Sequence, residues 1–184
     1  MIRELRTAAV AAVVLTLALG LAYPLVMTGA GQVLFPHRTD GSIALIGADF
    51  SAHPGLFQSR PSVTGYDPSG TFFNNQGPNQ RALADQLTGY VRAYLKRERP
   101  YTPGLTAATI PPDAVTASAS GVDPAISEQN ARIQANRVAV RRGLPLDQVL
   151  RLIDEHASRP FFGLAGPKSI NVRELNAAVR DVRR

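Results

Sequence analysis

The sequence predicts an α+β protein: a single N-terminal transmembrane helix, followed by one soluble extracytoplasmic domain with a small sheet and about four helices. Three observations carry that prediction. The thirty residues 7–36 hold no charged side chain. Beyond them, helical periodicity of apolar residues returns in four places, and two short runs, Ser42–Ile46 and Ala114–Ser120, read as strands closed by glycine.

The apolar run comes first. A helix rising about 1.5 Å per residue crosses the hydrocarbon core with roughly 20 apolar residues, and Ala8–Met27 supplies that length. Unpaired backbone groups are costly in lipid, so the segment must be helical. This divides the chain into an anchor, residues 1–36 with the span at about 7–30, and a soluble domain, 37–184. Arg3 and Arg6 precede the run against a single Glu4, whereas beyond it Arg38 is offset by Asp40. The positive-inside rule then leaves the N-terminus cytoplasmic and puts the domain outside. A cleavable signal peptide is the competing reading, since Thr28, Gly29 and Ala30 are small residues after an apolar core. Its usual apolar core is roughly 7–15 residues, and the length here favours a retained anchor in membrane lipid.

Within the span, Thr16 and Gly20 make a small-xxx-small pair, as do Ala8 and Ala12, through which another transmembrane helix could pack closely. Pro24 removes a ladder hydrogen bond and, with Gly20, permits a kink. Alanine and glycine are also simply frequent in membrane helices, so helix packing and chance both stay open.

Residues 51–78 carry prolines at 54, 61, 68 and 78 with Phe57, Tyr66, Phe72 and Phe73 among them, the pattern of a long loop packed partly on its own domain and partly on a partner. From Asn79, Leu83, Leu87, Tyr90, Val91, Tyr94 and Leu95 recur at helical spacing, and the helix ends before Pro100. In the run 115–123, Thr116, Ser118 and Ser120 share one side of a predicted strand and Ala117 and Ala119 the other. Gly121 then permits a turn in which Asp123 accepts local hydrogen bonds. A core strand with its turn and a partner contact are both compatible with this string. Ser127 is the predicted N-cap of a helix through Arg142, with Gly143 as its left-handed stop. Another helix starts with Pro145 at its first position, and a last one starts at Asn171.

Composition excludes several functions. Lys and Arg number 20 and Asp and Glu 14; removing Arg3, Arg6 and Glu4 leaves 18 against 13, interspersed in sign. Without a basic run, and with no tryptophan, this is not a nucleic-acid footprint. Cysteine is absent, which excludes disulfides and thiolate chemistry. His37, His53 and His156 show no metal-ligand spacing, no phosphate loop is present, and Ala-Ser-Ala-Ser-Gly lacks the first glycine of a nucleophile elbow. No catalytic or metal-binding residue is nominated.

Ordered strings remain: LAYPLVMTG at 21–29, ALIGADF at 44–50, LFQSRPS at 56–62, YDPSG at 66–70, VTASASGVDPAIS at 115–127, RVAVRRGL at 137–144 and INVRELNAAV at 170–179. In order and spacing the chain resembles the KdpC family, the single-span subunit of the KdpFABC potassium-transporting ATPase. The resemblance covers essentially the whole chain. It implies a non-catalytic subunit of a bacterial inner-membrane pump, in which KdpA conducts potassium, KdpB hydrolyses ATP and KdpF is a further small subunit. Two family roles follow, raising the ATP affinity of KdpB as a catalytic chaperone, or covering the external ion entrance of KdpA and holding the assembly together. No cofactor is implied for the chain alone; ATP would be met only together with the ATP-hydrolysing subunit. The chain departs from the family pattern at Ala48, where a glutamine is usual, at Ala125, and at Phe72 and Phe73.

Overall fold

A computed structural model describes residues 2–34, 45–70, 75–158 and 168–182. The chain forms two compact units, Met1–Ile43 and Ala44–Arg184.

The first is one apolar helical rod over Ile2–Leu34 with none of its apolar window buried. It comprises α1 (Ile2–Leu17), a π-helical stretch (Ala18–Ala22) and α2 (Tyr23–Leu34). The π stretch has a local cause. Pro24 cannot donate to the carbonyl four residues back, and the preceding Tyr23 N–H bonds instead to the Ala18 carbonyl, five residues back. The predicted Gly20–Pro24 irregularity therefore takes the form of a π insertion.

The second unit holds four described α-helices and a two-stranded sheet: α3 (Arg81–Glu98), β1 (Ala125–Ser127), α4 (Glu128–Arg142), α5 (Leu146–His156), β2 (Ser169–Asn171) and α6 (Val172–Asp181). β1 and β2 pair antiparallel, with Ala125 opposite Asn171 and Ile126 opposite Ile170. The sheet is short because both strands run directly into helices. Ser127 accepts the Asn130 amide as N-cap of α4, and the Asn171 side chain accepts the Arg173 and Glu174 amides at the start of α6. Gly143, at φ +66°, stops α4 as predicted, while Pro145 sits one residue outside α5 as its N-cap.

The main core gathers Ile126, Ala135, Val138, Val149, Ile153, Ile170, Leu175 and Val179 with Leu56 and Phe57 from the irregular stretch. A smaller cluster of Tyr94, Leu105, Ile110 and Ala114 secures α3. Phe57 is fully buried, so that aromatic of the long loop belongs to the domain's own core. Phe72 and Phe73 lie outside the described residues.

Two strand expectations need correction. Ala114–Ser120 is not a strand: Thr116 gives both its amide and its hydroxyl to the Pro112 carbonyl, and Ser118 donates its amide to Pro61. Its hydroxyls thus build turns, with no neighbouring strand for a ladder among the described residues. Of Ser42–Ile46, the first three residues lie outside the described residues, and Leu45 and Ile46 are in 3-10 and bend conformation.

Candidate functional site

Two sets of residues stand out, one in each unit. In the apolar helix, Thr16 and Gly20 share a side: a Cβ built on Gly20 would lie 3.9 Å from Thr16 Cγ2. Pro24 follows just beyond the π stretch. Placing leucine at Gly20 would put four carbons on this narrow surface. If it packs against another transmembrane helix, Gly20→Leu is expected to cut the yield of a co-purified membrane partner several-fold; an unchanged yield assigns the small residues to lipid contact.

In the second unit three loops converge: residues 45–51, 58–67 and 115–124. Arg60 is the hub. Its Nη1 pairs with Asp123 Oδ2 at 2.8 Å and its Nη2 reaches Thr116 Oγ1 at 3.4 Å, while its own carbonyl accepts the Tyr66 hydroxyl at 2.7 Å. Asp123 also accepts the Ala125 amide at 2.9 Å, the local turn bond that its position before Pro124 predicts. Ser118 is buried and shares a hydrogen bond with Ser120 at 3.0 Å, and the Gly121 amide donates to the Ser118 carbonyl.

Gly121 adopts φ +73°, and a Cβ there would stand 2.4 Å from Thr64 Oγ1. The Gly121 carbonyl accepts hydroxyls from Ser62 at 2.6 Å and Thr64 at 3.3 Å. Gly47 is equally confined: its amide donates to Val122, and a Cβ would meet the Asp123 carbonyl at 2.7 Å. Gly65 and Tyr66 both have positive φ, so Thr64–Asp67 makes the tight turn that conformation allows. Tyr66 is held there by its hydroxyl bond and by the Ser62 Oγ accepting its amide. Burial and the nearby Asp49 carboxylate push its pKa up to about 12, so the phenol stays neutral and donating throughout the physiological range. Such over-determined backbone is where binding surfaces are often built. An open cleft lined by Leu45, Arg60, Ser118, Ser120 and Asp123 exposes the junction.

The five predicted loop residues, Thr116, Ser118, Ser120, Gly121 and Asp123, are therefore brought together, as a turn and not as two faces of a strand. Arg60, their common partner, was legible as part of LFQSRPS, but nothing local assigns it to Asp123. Ala48, where the family pattern has glutamine, presents a methyl; its carbonyl accepts Ser59 Oγ at 2.8 Å.

A buried polar spine beneath the junction went unread. Glu98, fully buried, receives Arg137 Nε at 3.0 Å on both oxygens and Arg97 Nε at 2.7 Å. Arg137 Nη1 also donates to the carbonyls of Leu56, at 2.9 Å, and Pro54, and its Nη2 to Gln134. Gln134 exchanges hydrogen bonds with the Gln58 backbone, and Asn130 links Tyr94 to Asp113. Burial lowers the Arg137 pKa from its ordinary value, with the Glu98 carboxylate opposing. The available signal was Asn130, Gln134 and Arg137 recurring every three or four residues on the alanine-rich side of α4. Among the described residues no group of three or more His, Asp or Glu is placed to hold a metal.

The family model for the K+-transporting ATPase c chain, KdpC, matches residues 5–181. The chain is 44% identical over 188 residues to the potassium-transporting ATPase KdpC subunit of Polaromonas naphthalenivorans, covering 95% of this chain and 93% of that one. It is 42% identical over 192 residues to the corresponding subunit of Caulobacter vibrioides, at 97% and 93% coverage. With that of Rhodopseudomonas palustris it shares 38% identity over 203 residues, at 97% of both chains.

Proposed function

From the premise that this chain belongs to the KdpC family, and is thus an accessory subunit of a potassium pump, we propose that its 44–184 unit works outside the cytoplasm by holding the pump together and covering the external ion entrance. Its partners in this reading are the potassium-conducting KdpA, the ATP-hydrolysing KdpB and the small KdpF, within the bacterial inner membrane. One observation carries the reading: Arg3 and Arg6 precede a helix, Ile2–Leu34, that is long and apolar enough to cross a membrane, and a positive flank favours the cytoplasmic side. A domain on the far side from the ATP site can raise ATP affinity only through coupled conformations of its partners. ATP therefore concerns this chain only in company with KdpB, and the methyl of Ala48 offers no amide for a direct contact.

The three-loop junction is the surface offered to the partners. It is ordered before binding, so little conformational entropy is lost on docking. Alkaline phosphatase fused after Arg184 is expected to be active, and a fluorescent protein at the same place dark. The reverse pattern would put the domain in the cytoplasm and overturn the reading.

A further inference from the structure

Pro24 and the π stretch leave more carbonyls than amides in the middle of the apolar rod. The Tyr23 amide is bonded to the Ala18 carbonyl, Pro24 has no N–H to give, and the α2 ladder runs four residues back from Val26, which pairs with Ala22. Between these two registers stand the carbonyls of Leu19, Gly20 and Leu21, and the Leu25 amide is the one backbone donor left for them. It can serve Gly20 or Leu21, whereas Leu19 lies six residues back and out of its reach. At least two of the three carbonyls are thus without a backbone donor, and among the described residues no side chain donates to them. Leu19 sits near the middle of a 33-residue rod, where an unpaired backbone group is costly if lipid surrounds it. Gly20 beside it has no side chain, and the nearest atom to where its Cβ would stand is Thr16 Cγ2 at 3.9 Å. A second helix can therefore come close to the backbone at the level of these acceptors.

We propose that these carbonyls accept hydrogen bonds from a polar side chain, a hydroxyl or carboxamide, on a neighbouring transmembrane helix of the pump. The inference rests on two readings, Ile2–Leu34 as a membrane span and the chain as a subunit assembled with membrane-embedded partners. The occupant follows from chemistry: lipid tails hold no donor, and bulk water does not reach this depth. A pump subunit has other spans beside it to supply one. The π insertion thereby becomes a docking feature that sets the depth at which the partner helix engages, since a donor one turn higher or lower would meet a closed ladder.

Leu-Gly occurs once in the chain, at Leu19–Gly20. Leucine labelled with carbonyl 13C and glycine labelled with 15N therefore give a single directly bonded 13C–15N pair. The labelled full chain is reconstituted in lipid bilayers, alone and with the unlabelled pump subunits, and the Leu19 carbonyl is read by solid-state NMR filtered for that pair. Its resonance is expected to move downfield on assembly, as a carbonyl does on accepting a hydrogen bond. Pro24→Ala returns an N–H to the ladder. It should bring the resonance downfield in the chain alone and cut the yield of co-purified pump roughly three- to tenfold. An assembled pump with an unmoved Leu19 resonance overturns the inference and leaves both readings standing, and so does a Pro24→Ala yield equal to the parent's. A resonance already downfield in the unmodified chain alone also overturns it, assigning the bond to water or, where the shift depends on the protein-to-lipid ratio, to a second copy. A chain that alkaline carbonate washes off the bilayer overturns the span reading along with the inference. A chain integral to the bilayer that never co-purifies with the pump subunits overturns the assembly reading along with it.

Discussion

Glu98→Ala is expected to destabilise the second unit by about 3–5 kcal/mol, because it leaves the guanidinium of Arg137 uncompensated in the interior. Arg137 is 1% exposed and its remaining partners are neutral: the carbonyls of Leu56 and Pro54 and the amide of Gln134. For a unit of this size the loss corresponds to roughly 10 °C or more in Tm, read by thermal unfolding of the detergent-solubilised full chain. Removing both charges together should behave differently. Glu98→Leu with Arg137→Met exchanges an ion pair for apolar volume, and buried pairs so replaced are often neutral in stability. A single variant within about 1 kcal/mol of the parent would show that water reaches the pair and that the spine is not a stability element.

Gly121→Ala carries the second large effect, about 2–4 kcal/mol. Roughly 1 kcal/mol comes from the positive φ; the rest comes from overpacking, since the new methyl would sit 2.4 Å from Thr64 Oγ1 and 2.8 Å from its Cγ2. Thr64 cannot swing away without giving up its bond to the Gly121 carbonyl. The clash identifies its own suppressor: Thr64→Ala removes both atoms, so the double variant should regain all but the backbone part of the loss. Measured on the assembled pump, potassium-stimulated ATP hydrolysis should fall with the single change and recover with the double. Additive effects of the two substitutions would sink this account of the junction.

Much of the helical architecture was legible because its signals are local. The Ser127 cap, the Gly143 stop and the Asn171 cap are each decided within three or four residues, by a side-chain oxygen within reach of a free amide or by a backbone conformation that glycine adopts without penalty. The same locality explains the misreading of Ala114–Ser120. Alternating hydroxyl and alanine residues fit a pleated strand and a string of hydroxyl-bonded turns equally well, and the choice went to turns because Pro61 and Pro112, not a neighbouring strand, supply the acceptors.

What the sequence by itself determined is the apolar rod with its basic flank, the family, and the helix boundaries, since hydropathy, ordered strings and caps are properties of contiguous residues. Only the tertiary structure decided which charges meet. Arg60 and Asp123 are 63 positions apart and Glu98 and Arg137 are 39 apart. No spacing rule couples residues so distant; an ion pair forms where the packing of Phe57, Tyr94 and Val138 closes the loops and excludes water, and that packing is a property of the folded chain as a whole.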